Sequence, residues 1–441
     1  MELTFGINDR PKFGQTILFA LQQLLAIMAA TIAVPAIIGN GMSQTAALFG
    51  AGIGTLVYLL LTRFRSPVFL GSSFAFLGSM ATAFAGAVSM EAGYAGLILG
   101  AVFAGLVYVV IAIIVRFCGV KWIDIIMPAV VIGPTVAIIG LSLAGNAVGD
   151  LTGGGLEGTS TYICMICGLV TLAVTMLCSV FGKKFLRMIP FIIGILAGYA
   201  VAVLFTLIGM AADSDALKVI DFGLFASIQW VPDFTFLLAA KGVSALDSAY
   251  VATIAVAYVP VAFVVFAEHI ADHKNLSTIV GVDLLRDPGL HRTLLGDGVG
   301  SIAGALFGGC PNTTYGESIG CVAISGNASV ITILYTAILA IVIAFFGPFA
   351  TFLATIPGCV MGGVCIALYG FIAVSGLKMI QHIDLNDNKN LFVVSVILIS
   401  GVGGLTVSFG HVTVTEVACA LILGILANVM LGGQKRDAAG K

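Results

Sequence analysis

Apolar runs of membrane-spanning length recur along almost the whole chain, punctuated by Gly, Pro and small groups of charges. A spanning helix needs about 20 such residues. The pattern predicts segments near 14–33, 46–62, 67–87, 94–115, 123–146, 160–181, 188–210, 250–275, 293–308, 311–326, 329–346, 356–377, 390–408 and 411–432. No soluble domain of ordinary size fits between these fourteen. With the N-terminus in the cytoplasm, every Lys and Arg except Lys218 and Lys241 falls on the inner side. Because that bias sets topology, both termini are expected inside and the number of spans even. The loop from about 211 to 249 carries Asp213, Asp215, Asp221, Asp233 and Asp247, and it divides the segments into two sets of seven. An odd number per set makes the second set begin from the opposite face, so repeats here must be inverted.

Two segments break the pattern at matching places in the two sets. The third opens with SPVFLGSSFAFLG (66–78) and the tenth with GGCPNTTYGESIG (308–320), rich in Pro, Gly, Ser and Thr where their neighbours are Leu, Ile and Val. Extended backbone at membrane depth survives only where its N–H and C=O groups find partners inside the protein or line a cavity. The two extended pieces are placed to pair with each other, each leading into a half-helix with free N–H groups aimed at a ligand. Paired interruptions of this kind point to a transporter binding site.

Composition narrows the class. The chain is 60% hydrophobic and 9% charged, against about 25% charged in soluble domains, so it reads as an all-α polytopic membrane protein with the lipid bilayer as its surroundings. A net charge of −2 without a basic block gives no footprint for nucleic acid. Nine cysteines lie mostly within apolar runs. Cys164 and Cys167 form a C-x-x-C with no nearby His or second pair, so a redox or metal role is not expected. The charged MELTFGINDRPKFG opening is unlike a cleaved signal peptide. No phosphate loop, nucleophile elbow or metal-ligand spacing occurs, so no cofactor or metal is expected.

Carboxylates inside spans are the candidate chemistry, because an acid at the bilayer centre costs about 2.5–3.5 kcal/mol even on insertion scales. Glu268 and Asp272 in VAFVVFAEHIADH are four residues apart and share one helix face. Their burial side by side favours a form in which one keeps its proton. The structural alternative is a pair of acids hydrogen-bonded to small-residue helices. Glu317 stands where the extended piece of segment ten becomes helix, so helix capping competes with ligand binding for its role. Asp297 and Glu416 read as structural hydrogen-bonding groups. His269 points away from the Glu268 face, and His273, His291, His382 and His411 are expected at span ends or in loops, solvated or interfacial.

LGSSFAF (70–76), AEHIAD (267–272), DLLRDPGLHR (283–292), PNTTYGESIG (311–320) and MGGVCIALYG (361–370), in this order, closely resemble the bacterial uracil permeases of the nucleobase–ascorbate transporter family. The resemblance runs from about Arg10 to the last segment. It implies fourteen spans in two inverted seven-span repeats, two short antiparallel strands at the midplane in segments three and ten, a core domain (14–120 and 250–346), a gate domain (121–249 and 347–433) and a homodimer in the bacterial inner membrane. It also implies uracil:proton symport by alternating access, with the proton as coupling ion. Carried over by position, Glu268 and Glu317 hold the pyrimidine, with Phe74, Tyr315, Gly316 and Ala30 around it. Glu268, Asp272, Tyr369 and Ser73 form the proton-coupling set. Four positions depart from the family pattern: Asp272 and Gln23 replace histidines, and Ser325 and Gly326 stand for threonine and arginine.

Uracil's two N–H donors and two carbonyls suit two carboxylates and half-helix N–H groups, with an aromatic ring on its face. A permease for xanthine, urate or another nucleobase is the nearest rival, separable by competition with purines. An intramembrane enzyme using Glu268 and Asp272 as an acid/base pair would convert its substrate. A channel would show no saturation.

Overall fold

The computed structural model describes residues 3–119, 122, 128–183, 185–226, 228–381, 383–409 and 412–432. The first five residues of the expected fifth segment, together with Lys121, Lys184, His382, His411, Lys435, Arg436 and Lys441, lie outside the described residues.

The long apolar runs form helices α1 (Phe13–Ile38), α2 (Gln44–Leu61), α4 (Met90–Cys118), α5 (Ala129–Ser142), α6 (Ala144–Gly153), α7 (Thr161–Phe181), α8 (Pro190–Ala211), α9 (Ser248–Val280), α10 (Leu290–Gly308), α12 (Val330–Ile343), α14 (Gly358–Ile380), α15 (Asn388–Val402) and α16 (Glu416–Leu431). Local chemistry sets their ends. Ser43 caps α2 by accepting from Ala46 N–H, Asp247 caps α9 by accepting from Tyr250 N–H, and Gly281 ends α9 in the left-handed conformation at φ 71°. By length and apolarity, eight helices among the described residues can cross a membrane, counting α5 with α6 as one. The number becomes nine if α12 and α13 (Gly347–Ala354), bent by 82° across the break at 344–346, form one span. The other expected segments contain shorter or more polar elements: α3 (Leu77–Ala85), α10, α11 (Gly316–Ser325), α15 and α16.

Segments three and ten are broken as the residue pattern requires. Strand β1 (Leu70–Ser72) precedes a single turn at Phe74–Phe76 and then α3, while β2 (Asn312–Thr314) runs into α11. The strands pair with each other antiparallel, Leu70 opposite Thr314 and Ser72 opposite Asn312. One feature was not expected. The HVTVTEV opening of the last segment contributes β4 (Val412–Val414), which pairs with β3 (Val407–Phe409). Its alternation of β-branched and polar residues suits a strand better than a helix.

Helices pack most densely within two sets. In one, α2 lies against α10 and α12, α4 against α9 and α10, and α1 against α12. In the other, α14 lies against α5, α6 and α7, α7 against α8, and α15 against α5 and α16. The sets meet mainly where α9 touches β4, α16 and α5, and where α1 touches α8 and α14. Large apolar side chains such as Phe117, Phe181 and Tyr162 point outward, as lipid-facing surfaces do.

The α2–α10 seam depends on missing side chains. A Cβ on Gly304 would strike the Asn312 amide, and one on Gly54 would meet both Asn312 Nδ2 at 2.5 Å and the Gly300 carbonyl at 2.7 Å. Small residues let membrane helices approach at backbone distance, and here they also leave room for Asn312, whose Nδ2 donates to the Gly50 carbonyl at 3.1 Å. Gly304→Val is expected to displace Asn312 and cost about 1–3 kcal/mol, read as a drop of several degrees in the unfolding temperature of the detergent-purified protein. Gly316→Ala, with open space around its Cβ, is the control and leaves that temperature unchanged.

Candidate functional site

The strand pair is held from three sides. Thr55 on α2 accepts from the Leu70 N–H at 2.9 Å, Ser73 N–H donates to the Pro311 carbonyl at 2.9 Å, and the Tyr315 hydroxyl donates to the Ser72 carbonyl at 2.5 Å. Gly71 is the residue that lets the Tyr315 ring lie this close, because a Cβ there would run into the ring. From α1, the buried Gln23 amide donates to Ser318 Oγ at 2.6 Å, and Ser318 Oγ also accepts from Phe69 N–H at 3.3 Å. The glutamine departure thus braces the start of α11 against the residue before β1.

At the end of β2 the chain turns helical at Gly316, so the first N–H groups of α11 have no partner within the helix. Glu317 occupies that first turn, where the helix dipole favours a carboxylate. Glu268 reaches the same place from α9. Ser73, Phe74, Ala75, Glu268 and residues 313–317 enclose a cavity of about 50 Å³, closed by Ile139 of α5 and by Leu368 and Ile372 of α14. Glu268, Gly316 and Glu317 also wall a larger cavity of about 350 Å³, whose lining includes Asp272, Ser375 and Met379. The two carboxylates therefore stand between an inner and a wider outer space.

Hydroxyl groups complete the inner wall. Ser73 Oγ and Thr313 Oγ1 are buried without a hydrogen-bond partner among the described residues, and both belong to residues lining the inner cavity. Buried polar atoms are normally paired, which sets these two hydroxyls apart from the other groups of the strand pair. Thr314 is already used, donating to Asp272 Oδ2 at 2.8 Å and so tying β2 to α9.

Of the residues expected from sequence, Glu268, Glu317, Phe74, Tyr315, Gly316 and Ser73 meet at the inner cavity, and Asp272 lines the neighbouring one. Tyr369 stands one ring away, edge-on to Phe74 at 5.9 Å, with its buried hydroxyl against the Cys365 thiol one turn back on α14. Ala30 is buried in α1 and is absent from the walls of both cavities; Thr31 beside it reaches the Tyr315 hydroxyl. Gly326, the other departure, ends α11 in the left-handed conformation at φ 67°, and its carbonyl accepts from Thr4 N–H at 2.8 Å. It docks the N-terminal segment where the family pattern has an arginine.

The histidines require a correction. His273, expected at an interface, is fully buried: its Nδ1 meets the His269 carbonyl at 2.9 Å and its Nε2 the Tyr58 hydroxyl at 2.7 Å. The reason is that α9 extends to Val280, a turn beyond the expected end, which keeps His273 within the helix interior. His269 stacks on His273 with ring centroids 4.1 Å apart, and its Nδ1 lies 2.7 Å from Asp297 Oδ2 on α10. Its Nε2 meets Thr293 Oγ1 at 3.0 Å, and the Thr293 hydroxyl already donates to the Leu290 carbonyl. His269 is thereby held at both ring nitrogens, by Asp297 and by Thr293. Asp297 has the structural hydrogen bond expected of it, with a partner that no spacing rule exposed. Among the described residues no group of three or more His, Cys, Asp or Glu is placed to hold a metal ion.

A helical membrane chain whose broken segments pair at a carboxylate-lined cavity has the organisation of a transporter. The fold agrees. The chain superposes on the transmembrane domain of the cyanobacterial bicarbonate transporter BicA with a TM-score of 0.60, covering 97% of this chain and 100% of that one at 17% identity. It superposes on the murine Solute Carrier 26 family member A9 anion transporter in the inward-facing state with a TM-score of 0.65, covering 96% and 69% at 13% identity. Residues 14–409 match the family model Xan_ur_permease, described as Permease family, and the chain belongs to that family. It is 38% identical over 437 residues to the uracil permease of Bacillus caldolyticus, covering 98% of this chain and 95% of that protein. It is 37% identical over 423 residues to the uracil permease of Escherichia coli (strain K12), covering 95% and 92%.

The Thr314–Asp272 contact is testable without a ligand. Thr314→Val removes the donor from a buried carboxyl group and is expected to cost roughly 0.6–2 kcal/mol, seen as a lower unfolding temperature. Thr314→Ser keeps the donor and is expected to match the parent protein.

Proposed function

We propose that the chain carries uracil into a bacterial cell across the plasma membrane, coupled to protons, by alternating access. The observation that carries this reading is the convergence of Glu268, Glu317, the Gly316 end of α11 and two unpartnered hydroxyls on one small cavity. Uracil brings two N–H donors and two carbonyl acceptors on a flat ring. The carboxyl groups accept from the ring N–H groups, while the Ser73 and Thr313 hydroxyls and the first N–H groups of α11 donate to the carbonyls. Phe74 and Tyr315 supply aromatic surface. The names of the uracil permeases to which the chain is similar support the same substrate.

Proton coupling follows from charge. Glu268, Asp272 and Glu317 stand close together and half-buried, where a fully ionised cluster is costly. Protonation of Glu268 or Asp272 and binding of substrate then favour each other. In this scheme Tyr369 acts through Phe74. The segments make fourteen passes in two inverted repeats, with the core (14–120 and 250–346) moving against the gate (121–249 and 347–433). Both termini lie in the cytoplasm, the unit is a homodimer, and no cofactor takes part. With that orientation the larger cavity faces the cytoplasmic ends of α9 and α14, which corresponds to an inward-facing state. Differential affinity of substrate and proton for the two states drives the exchange between them.

The test is uptake of labelled uracil into proteoliposomes with and without an imposed inward proton gradient. Saturable accumulation that depends on the gradient and is competed weakly by xanthine or urate is the expected result. Dominant competition by a purine would reassign the substrate. Glu268→Gln is expected to abolish uptake. Glu317→Ala, which removes a charged acceptor worth about 1.5–3 kcal/mol per hydrogen bond, is expected to weaken uracil binding at least tenfold in calorimetry. Uracil binding by Glu317→Ala at parental affinity would overturn the site assignment.

A further inference from the structure

The Cys164-x-x-Cys167 pair, without a partner in the sequence, acquires one in three dimensions. Cys359, the second residue of α14, packs its sulfur against both Cys164 and Cys167 of α7. All three thiols are free and at most 1% exposed. The surrounding backbone is unusually close. Cys359 N–H donates to the Gly154 carbonyl at 3.0 Å, a Cβ on Gly168 would strike the Cys359 carbonyl, and one on Gly363 would strike the Gly168 carbonyl. Glycine contacts thus let the backbones of α7 and α14 approach closely beside the three sulfurs, the kind of approach a disulfide requires.

We propose that Cys359 is an oxidisable partner of the C-x-x-C pair, forming a disulfide with Cys167 or Cys164 that staples α14 to α7. The placement rests on the orientation proposed above, which sets the first turns of both helices at the outer face, the side where disulfides persist in bacteria. A peroxide is the oxidant. The Cys167 sulfur attacks one peroxide oxygen, the O–O bond breaks, and Cys167 becomes a sulfenic acid as one water leaves. The second cysteine sulfur then attacks that sulfur and expels the other water. Two thiols thereby lose two electrons and two protons to hydrogen peroxide, giving one S–S bond and two waters. The remaining thiol of the trio sits beside the new bond and can exchange with it.

The staple matters because α14 carries Leu368, Tyr369 and Ile372, which close or adjoin the inner cavity, whereas no residue of α7 lines it. A bond at the end of α14 fixes that wall to the outer half of its own helix set.

The experiment treats the full-length protein in proteoliposomes with hydrogen peroxide and maps peptides without reduction, a readout independent of uracil transport. The expected product joins Cys359 to Cys167 or Cys164, is lost in Cys359→Ser, and raises the unfolding temperature by several degrees until a reductant is added. Cys359→Ser in its reduced form is expected to unfold at the parental temperature. Peptides linking only Cys164 to Cys167, or complete thiol oxidation without any link to Cys359, would overturn the proposal. A membrane-impermeant phosphine reductant is expected to open the bond from the outer face. Opening only from the inner face would overturn its placement.

Discussion

The structure depends on satisfying extended backbone inside an apolar chain. Two three-residue strands would be untenable in hydrocarbon if left alone. They persist because they pair with each other and because side chains cover the remaining groups: Thr55 and Asn312 toward α2, Tyr315 back to Ser72, and Gln23 through Ser318. Two of these partners are themselves admitted by small residues, Asn312 by Gly304 and Gly54 and Tyr315 by Gly71. The glycine seams and the strand pair are therefore one construction. What it achieves is a helix, α11, that begins in the protein interior with its N–H end and Glu317 facing a cavity.

The same economy shapes the acids. Glu317 is favoured by the dipole of α11, Asp272 receives the Thr314 hydroxyl, and Asp297 is hydrogen-bonded to His269. Glu268 is the carboxyl group common to both cavities that reaches them from α9, and it follows directly from the helix position next to His269. The clamp between His269 and Asp297 fixes the rotation of α9 against α10, and that rotation is what turns Glu268 toward α11. Stacked His273, anchored on Tyr58, extends the clamp by another turn.

Much of this was legible in the residues. The hydrophobic runs located the helices, and the Pro-Gly-Ser-Thr composition of 66–78 and 308–320 marked both interruptions and their pairing. The four-residue spacing of Glu268 and Asp272 put them on one face. Less could be read where periodicity is weak or contacts are distant. The turn-long extension of α9 hid the burial of His273, since a polar HKNLS stretch reads as a helix end until neighbours cover it. Thr313 and Thr314 looked like backbone partners, yet one is an unpaired donor at the cavity and the other holds Asp272. The alternation in VTVTEV was a strand signal that a span-length window averages away.

The sequence by itself determined that this is a membrane chain, where its two breaks lie, and which acids must face inward, because apolar length, chain-breaking residues and the cost of charge in lipid are local properties. Only the tertiary structure decided what those acids touch. His269 found Asp297, Gln23 found Ser318 and Cys359 found the C-x-x-C across 28, 295 and roughly 190 residues of chain. Contacts at such separations are set by how glycine-lined helices close on one another, and no spacing within a single segment records that.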